Sequence, residues 1–222
     1  KKKKKMITNE DNMNLMLRCK DNYFDLAIVD PPYGINESGG KNRNSKKGDL
    51  LGLKTPNYKK KSWDNETPKQ EYFDELFRVS KNQIIFGGNY FIDKLKPTSC
   101  FIVWDKKVTA KAHFADCELA WTSFKTAVRK FQYGWIGFDY LNNPNKQKKI
   151  HPTEKPIALY EWILMNYAKQ GDKILDTHIG SGSIAIACHN LGYDLTGCEI
   201  DKEYFEAAMK RIEQHKQQLT IF

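Results

Sequence analysis

The sequence predicts an α/β domain with a largely parallel sheet, and three observations carry that expectation. Short apolar runs alternate with segments patterned as helices, the order expected of strands joined by helical crossovers. Two of these runs, Leu26-Ala27-Ile28-Val29 and Ile174-Leu175, each stop at an aspartate, Asp30 and Asp176. A glycine-containing stretch, Asp176-Thr177-His178-Ile179-Gly180-Ser181-Gly182-Ser183, then joins the second run to a helix.

Residues 25–29 form the first strand, a short apolar run of the kind found where a sheet is covered on both faces. Residues 35–62 hold Gly39, Gly40, Gly48, Gly52 and Pro56 among Lys41, Arg43, Lys46, Lys47, Lys54, Lys59, Lys60 and Lys61, and read as a long, basic, mobile loop. Pro68 opens a helix with Tyr72, Phe73, Leu76, Phe77 and Val79 on its apolar side. Gln83-Ile84-Ile85-Phe86 is a strand ending at Gly87-Gly88, and a short helix is expected from there through Leu95. Ser99–Trp104, Glu118–Trp121 and Val128–Tyr133 read as strands, and residues 141–150 as an Asn/Lys-rich loop. Pro156 begins a strong helix through Lys169, stopped by Gly171. Lys173–Asp176 is a strand, Ser181–Leu191 a helix, Leu195–Glu199 a strand and Asp201–Gln218 a long final helix. The 222 residues suit one domain, residues 1–222, with one good core.

Composition narrows the class. The net charge of +9 comes from 36 basic and 27 acidic side chains. Without the run Lys1–Lys5 the balance is 31 − 27 = +4. Met6 looks like a natural start, so the run reads as an appended tag, a misread terminus or a basic arm. No apolar run approaches the ~20 residues of a membrane span, and no secretory h-region is present. Five cysteines without a Cys-x-x-Cys pair read as reduced thiols in a cytosolic or host-cell compartment. His113, Cys117, Cys188 and His189 lack metal-ligand spacing, so no metal is expected.

Two motifs carry chemistry. The first is Asp30-Pro31-Pro32-Tyr33-Gly34, directly after a buried strand. Prolines cannot continue a ladder and they fix the backbone, so the turn is stiff. A stiff turn that holds a carboxylate beside a ring suits a flat, amine-bearing ring. The second is the Asp176–Ser183 stretch, where glycines let backbone amides approach a ligand at the positive end of a helix. Glu199, about 20 residues on, ends the next strand, where a carboxylate can accept hydrogen bonds from ribose hydroxyls. Ligands of open parallel sheets lie across the carboxyl ends of strands near the switch point, so the two loops are expected to flank one crevice.

With these motifs the chain resembles the amino-group DNA methyltransferases, most closely the adenine-N6 enzymes in the permuted order often called the beta class, in which the catalytic tetrapeptide precedes the glycine-rich motif. Further matching pieces stand between the two: Arg78-Val79-Ser80-Lys81-Asn82, Gln83–Tyr90, Ile102-Val103-Trp104-Asp105-Lys106 and His151-Pro152-Thr153-Glu154-Lys155-Pro156. The resemblance implies a Rossmann-like methyltransferase fold, a seven-stranded mixed sheet with helices on both faces, and S-adenosylmethionine as cofactor. It implies that Asp30, Pro31, Pro32 and Tyr33 are catalytic. It places Asp11, Asp30, Thr153, Lys155, Asp176, His178, Gly180, Gly182 and Glu199 at the cofactor: Asp176, Gly180 and Gly182 by the methionine, Thr153 and Lys155 along its tail, Glu199 at the ribose and Asp11 at the adenine amine. Two places depart from the pattern. Glu10 stands where glycine is usual, and Thr177-His178 replaces the common Pro-Phe, with His178 able to pack its ring against the cofactor.

The mechanism expected on this reading has Asp30 and the Pro31 carbonyl accepting the two N–H bonds of an exocyclic amine, with Tyr33 stacked on a base taken out of the helix. Double-stranded DNA is the expected partner, with a homodimer as a second expectation. Residues 122–150 stand where the family carries its target-recognition region, with Phe131, Tyr133, Trp135, Phe138 and Tyr140 among Lys125, Arg129, Lys130, Lys146, Lys148 and Lys149. A solvated surface hairpin is the plainer reading of that segment. A cytosine-N4 enzyme, which usually has serine in place of Asp30, and a catalytically idle DNA-binding relative are the alternatives. Cytosine-C5 chemistry is disfavoured, because no cysteine follows a proline.

Overall fold

The computed structural model describes residues 6–36, 38, 61–107, 115–135 and 149–218. In chain order the elements are β1 (Met6–Thr8), α1 (Asn12–Leu17), β2 (Phe24–Val29), α2 (Gln70–Val79), β3 (Ser80–Phe86), β4 (Phe101–Asp105), β5 (Cys117–Thr122), β6 (Arg129–Gln132), α3 (Ile157–Tyr167), β7 (Lys173–Asp176), α4 (Ser183–Leu191), β8 (Asp194–Cys198) and α5 (Lys202–Gln218). The strands form one mixed sheet in the order β1-β8-β7-β2-β3-β5-β4-β6. Every pair is parallel except those made by β5, which runs against both β3 and β4.

The α/β class expected from the alternating runs is what the chain adopts, with eight strands among the described residues rather than seven. The additional one is β1, whose Met6, Ile7 and Thr8 pair with Thr196, Gly197 and Cys198 at the sheet edge. Three residues give too short an alternation to be read as a strand. The helix expected through Leu95 is the other difference: only the 3-10 turn Gly88–Tyr90 forms. Two glycines make a poor helix start, and packing takes the following residues separately. Tyr90 stacks on Tyr33 and Phe91 enters the core.

β2 and β7 lie side by side at the centre, with Leu26 opposite Ile174 and Ala27 opposite Leu175. From β2 the chain crosses through α2 to β3 on one side; from β7 it crosses through α4 to β8 on the other. The switch point therefore falls between the two strands that end in aspartate, and a crevice opens there at their carboxyl ends. Both faces are covered, which explains the unbroken apolar runs. Leu26 and Ile28 pack with Ile84, Phe86 and Ile102 against Leu159 and Ile163 of α3 and Ile184 and Ile186 of α4. Ala27, Val29 and Ile85 face the opposite side, with Leu15 of α1 and Phe73 and Leu76 of α2. Each fully buried large aliphatic side chain contributes about 1.5–3 kcal/mol. Among the described residues no helix is long and apolar enough to cross a membrane.

Candidate active site

The first motif turns away from the end of β2 and buries its charge in a network. Asp30 follows Val29, Pro31 is buried and Pro32 lines the crevice. The Tyr33 hydroxyl donates to Asp30 Oδ1 at 2.5 Å, and the Lys155 ammonium donates to Asp30 Oδ2. Lys155 Nζ also lies 3.3 Å from Tyr33 Oη and 3.3 Å from Glu118 Oε2. Glu118 Oε1 in turn pairs with Lys106 at 2.8 Å. Five side chains from four parts of the sequence thus form a chain of alternating charge with one phenol.

Electrostatics follow from the burial of this network. Burial pushes the Asp30 carboxyl above the usual carboxylate range, and the Lys155 ammonium works against that rise. Burial disfavours the Lys155 charge, but Asp30 and Glu118 outweigh it and hold its pKa above that of an ordinary lysine. Burial would raise Glu118 too, yet Lys155 and Lys106 keep it below its ordinary value. Burial and the Asp30 charge push the Tyr33 phenol far up, so it stays protonated and donates. The Tyr33 ring stacks on Tyr90, centroids 4.9 Å apart and planes within 13°. Gly87 makes this position possible: a Cβ there would lie 2.2 Å from the Tyr33 ring.

The second motif forms the opposite wall of a cavity of about 540 Å³ that Asp30, Pro32, Lys155 and Tyr160 also line. Gly180 N–H donates to Glu199 Oε2 at 2.9 Å and Asp201 N–H to Glu199 Oε1 at 2.9 Å. These two bonds fix the carboxylate at the mouth of β8 and leave acceptor sites on both oxygens. Asp176, 2 % exposed, accepts from His178 N–H at 2.9 Å, and burial pushes its carboxyl up to about 8.

The Thr177-His178 departure has a structural account. Asn12 Nδ2 lies 3.1 Å from His178 Nε2, His178 Nδ1 lies 2.9 Å from Thr177 Oγ1, and Thr177 Oγ1 lies 2.7 Å from Tyr72 Oη. The pair thereby ties the second motif to α1 and α2 by hydrogen bonds. Burial lowers the His178 pKa to about 3, so the ring is neutral.

The segment before α3 delivers Thr153 and Lys155. Its anchor is Glu154, whose side chain is fully buried. Glu154 pairs with Arg211 of α5 at 3.1 Å and accepts from Ile150 N–H at 2.9 Å, while its carbonyl accepts from Trp135 Nε1 at 2.7 Å. Thr153 lines the cavity, its hydroxyl 3.1 Å from His151 Nδ1. His151 is wedged between Trp63 and Tyr204, ring centroids 5.3 and 4.3 Å away.

The structure brings Asp11, Asp30, Pro32, Thr153, Lys155, His178, Gly180 and Glu199 to the cavity wall, with Tyr33 bonded to Asp30. Asp11 also caps α1, its Oδ1 accepting from Met13 N–H at 2.8 Å and Asn14 N–H at 3.3 Å. Glu10, where glycine is usual, is held by both terminal nitrogens of Arg18 at 2.5 Å. Gly182 sits elsewhere: a Cβ there would lie 3.0 Å from Ile212 Cδ1 and 3.3 Å from Ala208 Cβ, so its bareness lets α5 pack. Sequence reasoning missed the wall residues Lys61, Trp63, Tyr160 and Tyr204 and the ion partners Lys106 and Glu118. Glu118 lies within β5 and Lys106 directly follows β4, and nothing local marks either as an ion partner of Lys155.

Residues 35–62 and 122–150 are described only in part. In the second segment Trp135 is buried and Phe131 and Tyr133 are half-buried against the core, Phe131 5.5 Å from Trp162. Arg129 and Lys130 remain exposed. Phe138, Tyr140, Lys146 and Lys148 lie outside the described residues, as do Lys1–Lys5, residues 39–60 and His113.

A pH-dependent stability follows from Asp176. Its folded pKa of about 8 lies above the unfolded value of about 3.9, so its contribution is fully present below about pH 3.9 and is lost as pH rises through 8. Asp176→Asn keeps the acceptor for His178 and removes the charge. The variant's melting temperature without cofactor should exceed the wild type's at pH 8, and the difference should shrink toward pH 5 in thermal scans. A gap that widens on acidification would contradict the assignment.

Residues 105–210 match the N6/N4 family described as DNA methylase. The chain is 25% identical over 258 aligned positions to the Type II methyltransferase M2.DpnII of Streptococcus pneumoniae, across 96% of this chain and 91% of that protein. The M1.HpyAVI–SAM complex aligns with a TM-score of 0.55 at 21% identity, over 93% of this chain and 98% of the other. The cytosine-N4-specific PvuII DNA methyltransferase aligns with a TM-score of 0.58 at 14% identity, over 95% and 89%. At these identities the two solved structures speak to the fold alone.

Proposed function

We propose, from the premise that this chain belongs to the N6/N4 DNA methylase family, that it transfers a methyl group from S-adenosylmethionine to the N6 amine of adenine in DNA. The observation that carries the choice of adenine is the carboxylate of Asp30, placed at the end of β2 and held by Tyr33 and Lys155. A serine at that position would point to cytosine N4. The fold does not discriminate, because a cytosine-N4 enzyme shares it. Double-stranded DNA is the substrate on this reading, and a homodimer would supply a wider DNA-binding face. The work is done in the cytoplasm, where the DNA is.

The residues present fit the cofactor. Glu199 is preset as a ribose acceptor by two backbone amides, and the Asp176–Ser183 turn opens onto the cavity. The bound sulfonium supplies an already activated methyl group. The protein's task is then positioning. An adenine amine is a poor nucleophile, because its lone pair is delocalised into the ring. Asp30 accepts one N–H and the Pro31 carbonyl the other, which favours a pyramidal nitrogen with its lone pair aimed at the methyl. Lys155 opposes the rise that burial imposes on the Asp30 pKa, and so favours the charged carboxylate. Tyr33 offers its ring to the extruded base, and Tyr90, now stacked on it and 42 % exposed, lies beside that position.

The test is to express the chain in a host lacking DNA methylation and sequence the DNA with base-resolved detection. N6-methyladenine in one short sequence context is expected; N4-methylcytosine would overturn the choice of base. A second expectation concerns Tyr33. Tyr33→Phe keeps the ring and loses the bond to Asp30, and should slow transfer about tenfold. Tyr33→Ala also loses base stacking, worth ~1–3 kcal/mol, and should be at least about tenfold worse again in single-turnover assays. Equal losses would assign the whole effect to the hydroxyl.

A further inference from the structure

We propose that Asp64 is a positioning residue for methyl transfer, whose carboxylate holds the turn that carries Tyr33 and, through Tyr33, the carboxylate of Asp30. The proposal rests on the reaction assigned above. It starts from what the turn lacks: Pro31 and Pro32 have no N–H, so the first backbone donor after Asp30 is that of Tyr33. Asp64 takes that donor. Its Oδ1 accepts from Tyr33 N–H at 2.7 Å and from Gly34 N–H at 2.9 Å, and its carbonyl accepts from Asn36 N–H at 3.0 Å.

These contacts reach 30 and 31 residues along the chain, so they are tertiary bonds rather than a local turn. Asp64 is 2 % exposed, and a buried carboxylate on two amides makes strong, directional bonds. The residues before it are pinned independently. Lys61 pairs with Asp201 at 2.6 Å and Glu203 at 2.9 Å, and Trp63 lies against His151 on the cavity wall. Asp64 therefore holds the turn from a braced backbone. Loss of its carboxylate frees the Tyr33 and Gly34 amides and lets the Tyr33 hydroxyl drift from Asp30, while Gly180 and Glu199 on the far wall keep their own bonds.

The test compares wild type, Asp64→Ala and Asp64→Asn. Three quantities are read: the single-turnover methylation rate, the dissociation constant for S-adenosylmethionine, and hydrogen exchange of the Tyr33 and Gly34 amides. Asp64→Ala should slow methylation and speed exchange by about 10- to 100-fold each, with the dissociation constant changed less than about threefold. Asp64→Asn, which keeps an oxygen acceptor, should recover most of both. An unchanged rate in Asp64→Ala, a loss lying wholly in cofactor affinity, or an asparagine variant as impaired as the alanine would overturn the proposal. So would free-chain exchange of these two amides in the wild type, a result that needs no variant to fold. A wild type that leaves adenine unmethylated would count against the reaction instead, and the exchange data would still decide the role of Asp64.

Discussion

Asp30→Ala is expected to lower the rate of methyl transfer by about 10³-fold or more, with cofactor binding largely intact. The reason is geometric. Asp30 supplies the acceptor at the end of β2, where the amine must be turned, while Glu199 on the opposite wall and Asp176 at the end of β7 are already bonded to backbone amides. Neither can take its place. The glycine turn and Glu199 keep their own bonds in the variant, so the dissociation constant for S-adenosylmethionine should move little. Lys155 retains Glu118 as a partner, so the protein should still fold. Asp30→Asn separates charge from shape: it keeps one oxygen acceptor and should recover only part of the lost rate. Single-turnover methylation with calorimetric cofactor titration checks both, and full activity in Asp30→Ala would sink the mechanism.

Lys155→Met is expected to have the second largest effect, on stability and on the pH profile together. The Lys155 side chain is 3 % exposed and faces two carboxylates, Asp30 and Glu118, with Lys106 beyond Glu118 and the Tyr33 phenol alongside. Removing one partner of a buried ion pair costs about 3–5 kcal/mol, because it leaves the other charge uncompensated. The sign of the pH effect follows from the same contacts. Burial raises the Asp30 pKa, Lys155 opposes that rise, and Glu118 adds to it. Without Lys155 the Asp30 pKa rises further, and the carboxylate that accepts the amine N–H bond forms only at higher pH. The acid limb of the kcat/KM profile should therefore move to higher pH, with a lowered melting temperature. Lys155→Arg, which keeps a charge on a bulkier head, should retain more of the acid-side activity. An acid limb that stays put in Lys155→Met would show that Lys155 does not set the charge of Asp30.

How much of this was legible in the sequence depended on range. The strands at Leu26–Val29 and Lys173–Asp176 were readable because both faces of a central parallel strand are buried, so the chain carries a continuous apolar run. The helix from Gln70 to Val79 was readable because Tyr72, Phe73, Leu76 and Val79 form one buried stripe. β1 was not, because three edge residues carry no period. The turn Gly88–Tyr90 was over-read as a helix because its conformation is set by what Tyr90 and Phe91 touch.

The site divided along the same line. Asp30, Tyr33, Gly180 and Glu199 announced themselves by local grammar, a stiff proline turn and a glycine turn at the carboxyl ends of strands. Gly182 carried the same grammar and serves the packing of α5. Phe131, Tyr133 and Trp135 read as a stacking surface because they are interleaved with basic residues, while Phe131 of β6 and the two rings that follow the strand also pack against the core.

The class of the fold, the order of its elements and the two motifs at the crevice are written in the chain locally, because each rests on spacing within a dozen residues. Tertiary structure alone decided that Lys155 would meet Asp30 across 125 residues, that Glu118 and Lys106 would continue the ion chain, and that Asp64 would hold the turn after the prolines. Those pairings depend on which strands lie side by side and how deeply each charge is buried, and neither quantity exists until the sheet is assembled.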